Sequence, residues 1–360
     1  MATSASSTPF VTIAIPCLNE EHFIEACLED VFAQDYPADR MEVIVADGMS
    51  SDRTREILHA IEQRRSGQLR VIDNPRRLQA AAMNEMIAQA KGEIVVRLDV
   101  HCRYAPDYVR QCVAVLEETG AANVGGAQRA QAKTWFQKAL CAALDSPLAV
   151  GGARYRDPDT EGFVDTVFLG AFRKSILERV GGYDPNAITN EDAELNQRIL
   201  AAGERVYLSK KIVVHYFPRD SFRRLAKQYF KYGKGRARTL LKHGGFPTPR
   251  PLIPFAAVLS GGLLLVTSPW QPLTVPAFAA YGAINALEAV RVSRRHGLHL
   301  APVVALIFPV LHVAHGVGFG TGLVQYALHP DWADEGAASR EAERRPYAPQ
   351  APADAATHSS

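Results

Sequence analysis

Four short β-rich runs, at 11–15, 43–45, 69–72 and 94–98, alternate with helical patterns at 21–33, 52–65 and 79–90. A β-α-β-α-β-α-β order of this kind predicts an α/β fold, with a mainly parallel sheet covered by helices on both faces. Ligands bind such sheets beyond the carboxyl ends of the strands. Polar residues stand at each of those ends: Asn19 and Glu20 after the first run, Asp47 after the second, Asn74 to Arg77 after the third, and Asp99 after the fourth. Residues scattered over the first hundred positions are therefore expected to converge on one edge.

The rest of the chain changes character twice. The stretch 125–182 is rich in glycine and reads as loops with short apolar pieces such as 164–169. A helix is expected at 191–202, opening on acids and closing before Gly203, then short strands at 205–208 and 212–214, then a basic amphipathic helix at 221–241. Three apolar segments follow, at 252–270, 272–290 and 301–328; the first two approach the length of about 20 residues that a spanning helix needs. The third is longer, and Gly316, Gly318, Gly320 and Gly322 dilute it. Basic residues crowd the flank before the first segment, and Arg291, Arg294 and Arg295 lie between the second and third. The positive-inside rule places both flanks in the cytoplasm, which makes the first two segments a hairpin and keeps the N-terminal domain cytoplasmic. Pro251 and Pro254 leave open that the first segment lies in the interface instead. The expected organisation is a disordered N-terminus (1–9), a catalytic domain (10–220), a basic interfacial region (221–250), two or three membrane helices (251–328) and a disordered tail (329–360).

Composition narrows the function classes. A formal net charge of +2 over 360 residues does not suggest a nucleic-acid binder. The five cysteines are odd in number and form no C-x-x-C pair, which argues against a disulfide framework or a structural zinc site. The first nine residues have neither a basic region nor an apolar core, so no signal peptide is expected there.

Several constellations could carry chemistry. Asp47, with Gly48 permitting a sharp turn beside it, can accept hydrogen bonds from a base or ribose; the alternative is a plain turn in which Ser51 or Asp52 caps the next helix. Asp99 and His101, two apart past a buried strand, can both reach one divalent cation, and a cation would neutralise a nucleotide diphosphate. An imidazole in place of a second carboxylate favours Mn²⁺ over Mg²⁺. The alternative is a solvated strand-end loop. Glu191 and Asp192 stand in the first turn of a helix, where dipole physics alone recruits acids. His215, after an apolar run, is either structural or a ligand. Residues 228–236 interleave aromatics and cations, which suits an interfacial helix, a grip on lipid phosphates or a solvated basic face. His312 and His315 share a helix face, either buried against a neighbour or touching a lipid headgroup.

These pieces occur in a recognisable order: Ile15-Pro16-x-x-Asn19-Glu20; Asp47-Gly48-x-Ser50-x-Asp52-x-Thr54; Ala81-x-x-Asn84 with Ala90-Lys91-Gly92-Glu93; Arg97-Leu98-Asp99-Val100-His101-x-x-Tyr104; Gly181-Gly182-Tyr183-Asp184 with Asn190-Glu191-Asp192-Ala193-Glu194-Leu195; and Gln228-Tyr229-Phe230 with Tyr232-Gly233-x-Gly235-Arg236. Over about 11–328 the chain resembles the family-2 glycosyltransferases of the GT-A fold, most closely their ExoA-like (succinoglycan biosynthesis) branch. The resemblance implies that Pro16, Asn19, Glu20 and Asp47 hold the uridine of a UDP-sugar, with Arg77 and Asp99 also at the nucleotide. It implies that Asp99 and His101 replace the family's D-x-D metal motif, with His215 completing the shell around Mn²⁺ or Mg²⁺. Asp192 would be the general base and Glu191 the second candidate. Gln228, Lys231, Tyr232 and Arg236 would face the acceptor or lipid. Where processive members carry Q-x-x-R-W, this chain reads Gln-x-x-Lys-Tyr, which favours transfer of a single sugar.

The reaction implied is inverting transfer from a UDP-sugar, with UDP-glucose as the first choice, to a lipid-linked saccharide in polysaccharide biosynthesis. The setting implied is the inner membrane, crossed more than once, with a polysaccharide assembly complex as a further partner. Two rival readings stand beside it: a polyprenyl-phosphate sugar synthase, and a non-catalytic membrane-anchored scaffold that binds nucleotide sugars.

Overall fold

The computed structural model describes residues 8–246 and 248–332. The strands are β1 (Val11–Cys17), β2 (Met41–Asp47), β3 (Leu69–Asp73), β4 (Ile94–Arg97), β5 (Cys102–Tyr104), β6 (Asn123–Gly126), β7 (Gln128–Ala130), β8 (Gly162–Val164), β9 (Phe168–Arg173), β10 (Val206–Leu208) and β11 (Val214–Tyr216). The α-helices are α1 (Ile24–Phe32), α2 (Thr54–Arg64), α3 (Gln79–Gln89), α4 (Tyr108–Thr119), α5 (Trp135–Leu144), α6 (Pro147–Val150), α7 (Lys174–Arg179), α8 (Glu191–Ala201), α9 (Phe222–His243), α10 (Ile253–Thr267), α11 (Thr274–His296) and α12 (Ala301–Leu328).

Apolar runs on β1, β2 and β4 are buried on both faces, and the two-residue period of a strand sends alternate side chains to opposite cores. Ile13, Ile15, Val43 and Val45 pack with Ile24 and Leu28 of α1 and with Tyr108 and Leu116 of α4. Ala14, Ile44 and Ala46 pack on the other side with Met83 and Met86 of α3 and with Leu195 and Ile199 of α8. Full burial of each large side chain contributes roughly 1.5–3 kcal/mol. The resulting eight-stranded sheet has the order β3-β2-β1-β4-β9-β6-β10-β8. Its first four strands are parallel, whereas β9 runs antiparallel to both β4 and β6, and β8 antiparallel to β10. A second sheet, β5-β11-β7, stands past the carboxyl end of β4.

The stretch 125–182, expected as loops, carries β7, β8 and β9 and three helices. Its strands have three to six residues and pair with partners remote in sequence, so no local period announces them. Helix α5 does carry a local signal. The Gln137 backbone N–H donates to Thr134 Oγ1 (3.2 Å) and the Thr134 N–H donates to Gln137 Oε1 (3.0 Å), a reciprocal cap.

The C-terminal helices are built onto this domain. Arg250–Trp270 and Leu298–Leu328 are the helical segments, among the described residues, long and apolar enough to cross a membrane. The second apolar segment, α11, expected to form a hairpin with the first, is less apolar than these two. Its second half is polar: Glu288 pairs with Arg291 and accepts from Ser146, and Asn285 and Ser293 are buried. Ala289 and Val292 of α11 join a core with Ala139, Leu140 and Ala143 of α5. Where disorder was expected from 329, Asp331 pairs with Arg238 (2.7 Å), and the Arg238 guanidinium lies over the Trp332 ring. Residues 333–360 lie outside the described residues.

Contact between α9 and α12 runs through glycines. A Cβ on Gly233 would overlap the His315 carbonyl, one on Gly318 the Phe230 carbonyl, and one on Gly322 both Lys234 and Ala237. Two of the glycines that dilute the third apolar segment, Gly318 and Gly322, are thus points of close contact with α9, and Gly316 lies against the Pro254 carbonyl of α10. Gly318→Ala is expected to force the helices apart at a cost of about 1–3 kcal/mol. Gly262→Ala, at a site with nothing within 4 Å, removes only a helix-weakening glycine. Thermal unfolding of the detergent-solubilised protein checks the pair: Tm falls by several degrees for the first and holds or rises for the second.

Candidate active site

The loops after β1 and β2 are laced together by the motif residues themselves. The Asn19 N–H donates to Ser50 Oγ (2.8 Å), the Ser51 N–H to Asn19 Oδ1 (2.8 Å) and the Glu20 N–H to Thr54 Oγ1 (2.7 Å). Glu21 Oε2 accepts from the Arg53 N–H, and Asp52 Oδ1 from the Thr54 N–H. Asp47 is fully enclosed at the end of β2, where it accepts from the Ser50 N–H (3.0 Å) and from Arg55 Nη1 (2.9 Å). Arg55 also reaches Asp73 (2.9 Å), so one guanidinium ties the ends of β2 and β3. Asn19, Met49 and Arg77, one past each of these three strands, all hold positive φ near 56–59°. Strained non-glycine backbone of this kind gathers at functional sites.

A second centre forms where β4 meets α8. Arg97, at the end of β4, donates from Nη2 to Glu191 Oε1 (3.0 Å) and from Nη1 to Asp192 Oδ1. Its side chain is 3% exposed and lies over the Tyr183 ring. Asn190, at φ 61°, makes the turn into α8, and its Nδ2 donates to the Tyr232 carbonyl of α9 (2.9 Å). One guanidinium cannot neutralise two carboxylates. Burial pushes the Asp192 carboxyl up to about 7, Arg97 pulls against that rise, and Glu191 adds to it. Arg97 carries no role in the sequence reading; the available signal is a cation ending an otherwise apolar strand.

Asp99 and His101 follow on the same turn. Asp99 Oδ1 accepts from the His101 N–H (2.9 Å), and Tyr104 braces the Asp99 backbone. His101 Nε2 lies 3.0 Å from Glu20 Oε1, and that hydrogen bond raises the imidazole above its ordinary value. No group of three or more His, Cys, Asp or Glu side chains able to hold a metal stands among the described residues. His215, expected to complete a shell, does not line the cleft among the described residues. On β11 the neighbouring Tyr216 lines the cleft, and strand alternation turns His215 to the other face, where burial and Arg129 lower its imidazole. One carboxylate and one imidazole remain. That donor set fits a divalent cation whose other ligands come from a diphosphate and water. A cation would also have to displace the proton that Glu20 favours on His101.

These groups open on one cleft of about 1320 Å³. Asp99, His101, Glu191, Asp192, Gln228, Lys231, Tyr232 and Arg236 all line it. Gln228 Nε2 donates to the Tyr232 hydroxyl (2.9 Å), which fixes the aromatic wall of α9. Pro16, Asn19, Glu20, Asp47 and Arg77 do not line the cleft among the described residues. They form the laced strand ends beside it, joined to it through the Glu20–His101 contact. Asp47, expected at the nucleotide, is enclosed there and accepts from Ser50 and Arg55.

A mixed sheet opening with four parallel strands, an Asp-x-His turn past the fourth and an acid pair facing that turn define a glycosyltransferase of the GT-A fold. The model of the family described as "Glycosyl transferase family 2" matches residues 12–181. The chain is 34% identical over 330 residues to the succinoglycan biosynthesis protein ExoA of Rhizobium meliloti, covering 90% of this chain and 97% of that protein. It is 26% identical, over 88% of its length and 98% of the relative's, to a dolichyl N-acetyl-alpha-D-glucosaminyl phosphate 3-beta-D-2,3-diacetamido-2,3-dideoxy-beta-D-glucuronosyltransferase of Methanococcus voltae. Among solved structures, a mannosyltransferase from Pyrobaculum calidifontis, in complex with GDP-Man and Mn²⁺, superposes with a TM-score of 0.60 at 21% identity over 85% of this chain and 88% of that one, a likeness of fold. The chain belongs to glycosyltransferase family 2 and is related to the ExoA-like succinoglycan biosynthesis proteins. Its reaction is the transfer of a sugar from a nucleotide-sugar donor.

The charge balance around Asp192 makes a pH prediction. Were Asp192 a general base, its carboxyl, raised to about 7, would be protonated and idle below that pH, and kcat/KM would climb through neutrality on an acid limb. Arg97→Gln removes the cation that, ahead of the Tyr183 hydroxyl, holds Asp192 down, and should move that limb to higher pH. A pH–rate profile of both proteins checks the order of the two limbs.

Proposed function

We propose that the chain transfers a single sugar, with inversion, from a UDP-sugar (UDP-glucose by resemblance) to a lipid-linked saccharide in polysaccharide biosynthesis. The observation that carries this reading is one cleft shared by Asp99, Asp192 and the basic, aromatic face of α9. It continues to Ile253 and Pro254, at the start of a helix apolar enough to span a bilayer. The name of the Methanococcus relative supports a lipid-linked acceptor, and that of the Rhizobium relative a part in polysaccharide biosynthesis. The basic residues along α9 and at Arg291, Arg294 and Arg295 support a multi-pass protein of the inner membrane with its catalytic domain on the cytoplasmic side.

The chain's own residues account for the chemistry as follows. Asp192 takes the proton from the acceptor hydroxyl as that oxygen attacks the anomeric carbon opposite the leaving nucleotide. A single displacement inverts the configuration and forms no glycosyl-enzyme. Arg97 fixes Asp192 at its station and keeps Glu191 beside it. Pro16, Asn19, Glu20 and Arg77 frame the uridine on the laced loops, and Asp47 supports them through Ser50 and Arg55. Gln228, Lys231 and Tyr232 receive the acceptor. Asp99 and His101 would hold Mn²⁺, in preference to Mg²⁺, and the ion supplies counter-charge to the departing diphosphate.

Purified full-length protein, assayed for UDP release and glycolipid product, tests this. Asp192→Asn is expected to lower kcat by about 10²–10⁴ while UDP-glucose still binds. Release is expected to require a divalent cation, with Mn²⁺ ahead of Mg²⁺ and none after chelation. Normal transfer by Asp192→Asn, or a product that keeps the donor's anomeric configuration, would remove the mechanism.

A further inference from the structure

Between the acid pair and the membrane helices the cleft holds two cations that form no ion pair among the described residues; the nearest opposing charge on Arg236, Asp165, is already paired with Arg250. Arg156 closes the short turn Arg154–Arg156, and Arg236 stands one helical turn beyond Tyr232 on α9; both line the cleft. Neither meets a carboxylate in any ion pair among the described residues, whereas Arg97 and Arg250 in the same cleft are both paired, Arg250 with Asp165. Burial holds the Arg236 guanidinium below its ordinary value. At Tyr155 burial alone would raise the phenol, yet Arg156, Arg236 and Arg250 hold it below its usual range. The local field is thus strongly positive, and the immediate neighbours, Tyr155, Tyr229 and Tyr232, offer hydroxyls without charge. Recessed guanidinium groups without a counter-ion destabilise a fold, and a bound anion removes that cost.

The position of the pair identifies what carries the anion. On one side lie Asp99 and Asp192. On the other, Ile253, Pro254 and Ala257 of α10 and Leu311 of α12 close the cleft with apolar side chains. Beyond them the outer face of α10 is bare, with Leu263 63% and Val266 71% exposed. A ligand that fills this sequence of environments has a reacting hydroxyl, then an anion, then a hydrocarbon chain.

We propose that Arg156 and Arg236 form a subsite for the phosphate of a lipid-linked acceptor, gripping its oxygens while the hydrocarbon chain leaves along α10 and α12. The inference rests on the proposed transfer to such an acceptor and adds to it the residues that hold the phosphate. Two guanidinium groups suit a phosphate because each presents paired N–H donors in a rigid fork. A phosphate fixed there also sets how far the acceptor sugar stands from Asp192.

Full-length protein in detergent micelles, titrated separately with farnesyl phosphate, farnesol, inorganic phosphate and UDP, tests the subsite. Wild-type protein is expected to bind farnesyl phosphate at least about ten-fold more tightly than farnesol, the worth of one charge-assisted contact. Arg156→Gln and Arg236→Gln should each erase most of that difference and leave farnesol binding as it was. Arg236→Lys, which keeps the charge and loses the fork, should recover part of it, and Tm read on each variant separates lost binding from lost folding. Equal affinity of the wild type for farnesyl phosphate and farnesol overturns the proposal. So does inorganic phosphate binding as tightly as farnesyl phosphate, which makes the site one for free phosphate. A loss of UDP affinity as large as the loss of farnesyl phosphate also overturns it, by assigning the arginines to the donor. Sugar transfer by a wild type that ignores farnesyl phosphate sinks the subsite alone; farnesyl phosphate bound as expected, with no UDP released from any donor, sinks the transferase reading and supports the subsite.

Discussion

Helix α9 is held between two backbones, and the geometry of the cleft follows from that. Gly233 and Gly235 are two residues apart, so they face nearly opposite directions on the helix. Gly233 lies against the His315 carbonyl of α12; Gly235 lies against Thr189 and Asn190, immediately before the acid pair. Neither side has room for a Cβ. The separation between the apolar helices and Glu191–Asp192 is therefore fixed by main chain rather than by adjustable side chains. Further along α9, Arg238 and Lys242 clamp Asp184, and Lys242 and His243 meet Glu194 of α8. Burial alone would raise both acids, but these cations, with Arg198 on Glu194, hold each down to about 2. A buried network of this kind contributes little net stability but is costly to break at one partner, about 3–5 kcal/mol. It locks the orientation that the glycines allow.

Electrostatics then divides the cleft. At the sheet end, Arg97 faces two carboxylates and leaves an excess of negative charge, which favours a proton on Asp192 near neutral pH. At the membrane end the excess is positive, at Arg156 and Arg236. The positive-φ residues beside these groups follow the same map. Leu169 and Asn190 line the cleft, and Asn19, Met49 and Arg77 rim the strand ends next to it. Backbone strain thus gathers at the strand ends and at Leu169 inside β9, beside the irregular β6–β9 pairing.

The sequence was most legible where structure is local. The strands β1 to β4, the acid-opened helix α8 and the basic face of α9 all follow from local pattern; Asp99, His101, Glu191, Asp192 and the α9 residues line one cleft, and the ends of β1 to β3 stand beside it. The stretch 125–182 is not legible as strands because β8 and β9 find their partners far along the chain; within it the Thr134-x-x-Gln137 cap of α5 is a local signal. Partner choice is the other hidden quantity. No pattern in the sequence announces that Arg55 encloses Asp47, or that Arg97 takes both Glu191 and Asp192. His215 stands inside β11 and not after it, so its facing is set by alternation with Tyr216, which an apolar run ending at 214 does not reveal. The apolar stretch of α11 was counted by composition, whereas its Glu288 and Asn285 are spent on the globular domain and its own helix.

All of this depends on donor and acceptor meeting in the cleft bounded by β4, α8 and α9. The most direct measurement is an experimental structure of the full-length protein with UDP and Mn²⁺ bound. The account predicts the uracil on the laced loops after β1 and β2, and the diphosphate beside Asp99 and His101, on the side that faces Asp192. A nucleotide seated elsewhere, with Asp99 and Asp192 both free of it, would contradict the account.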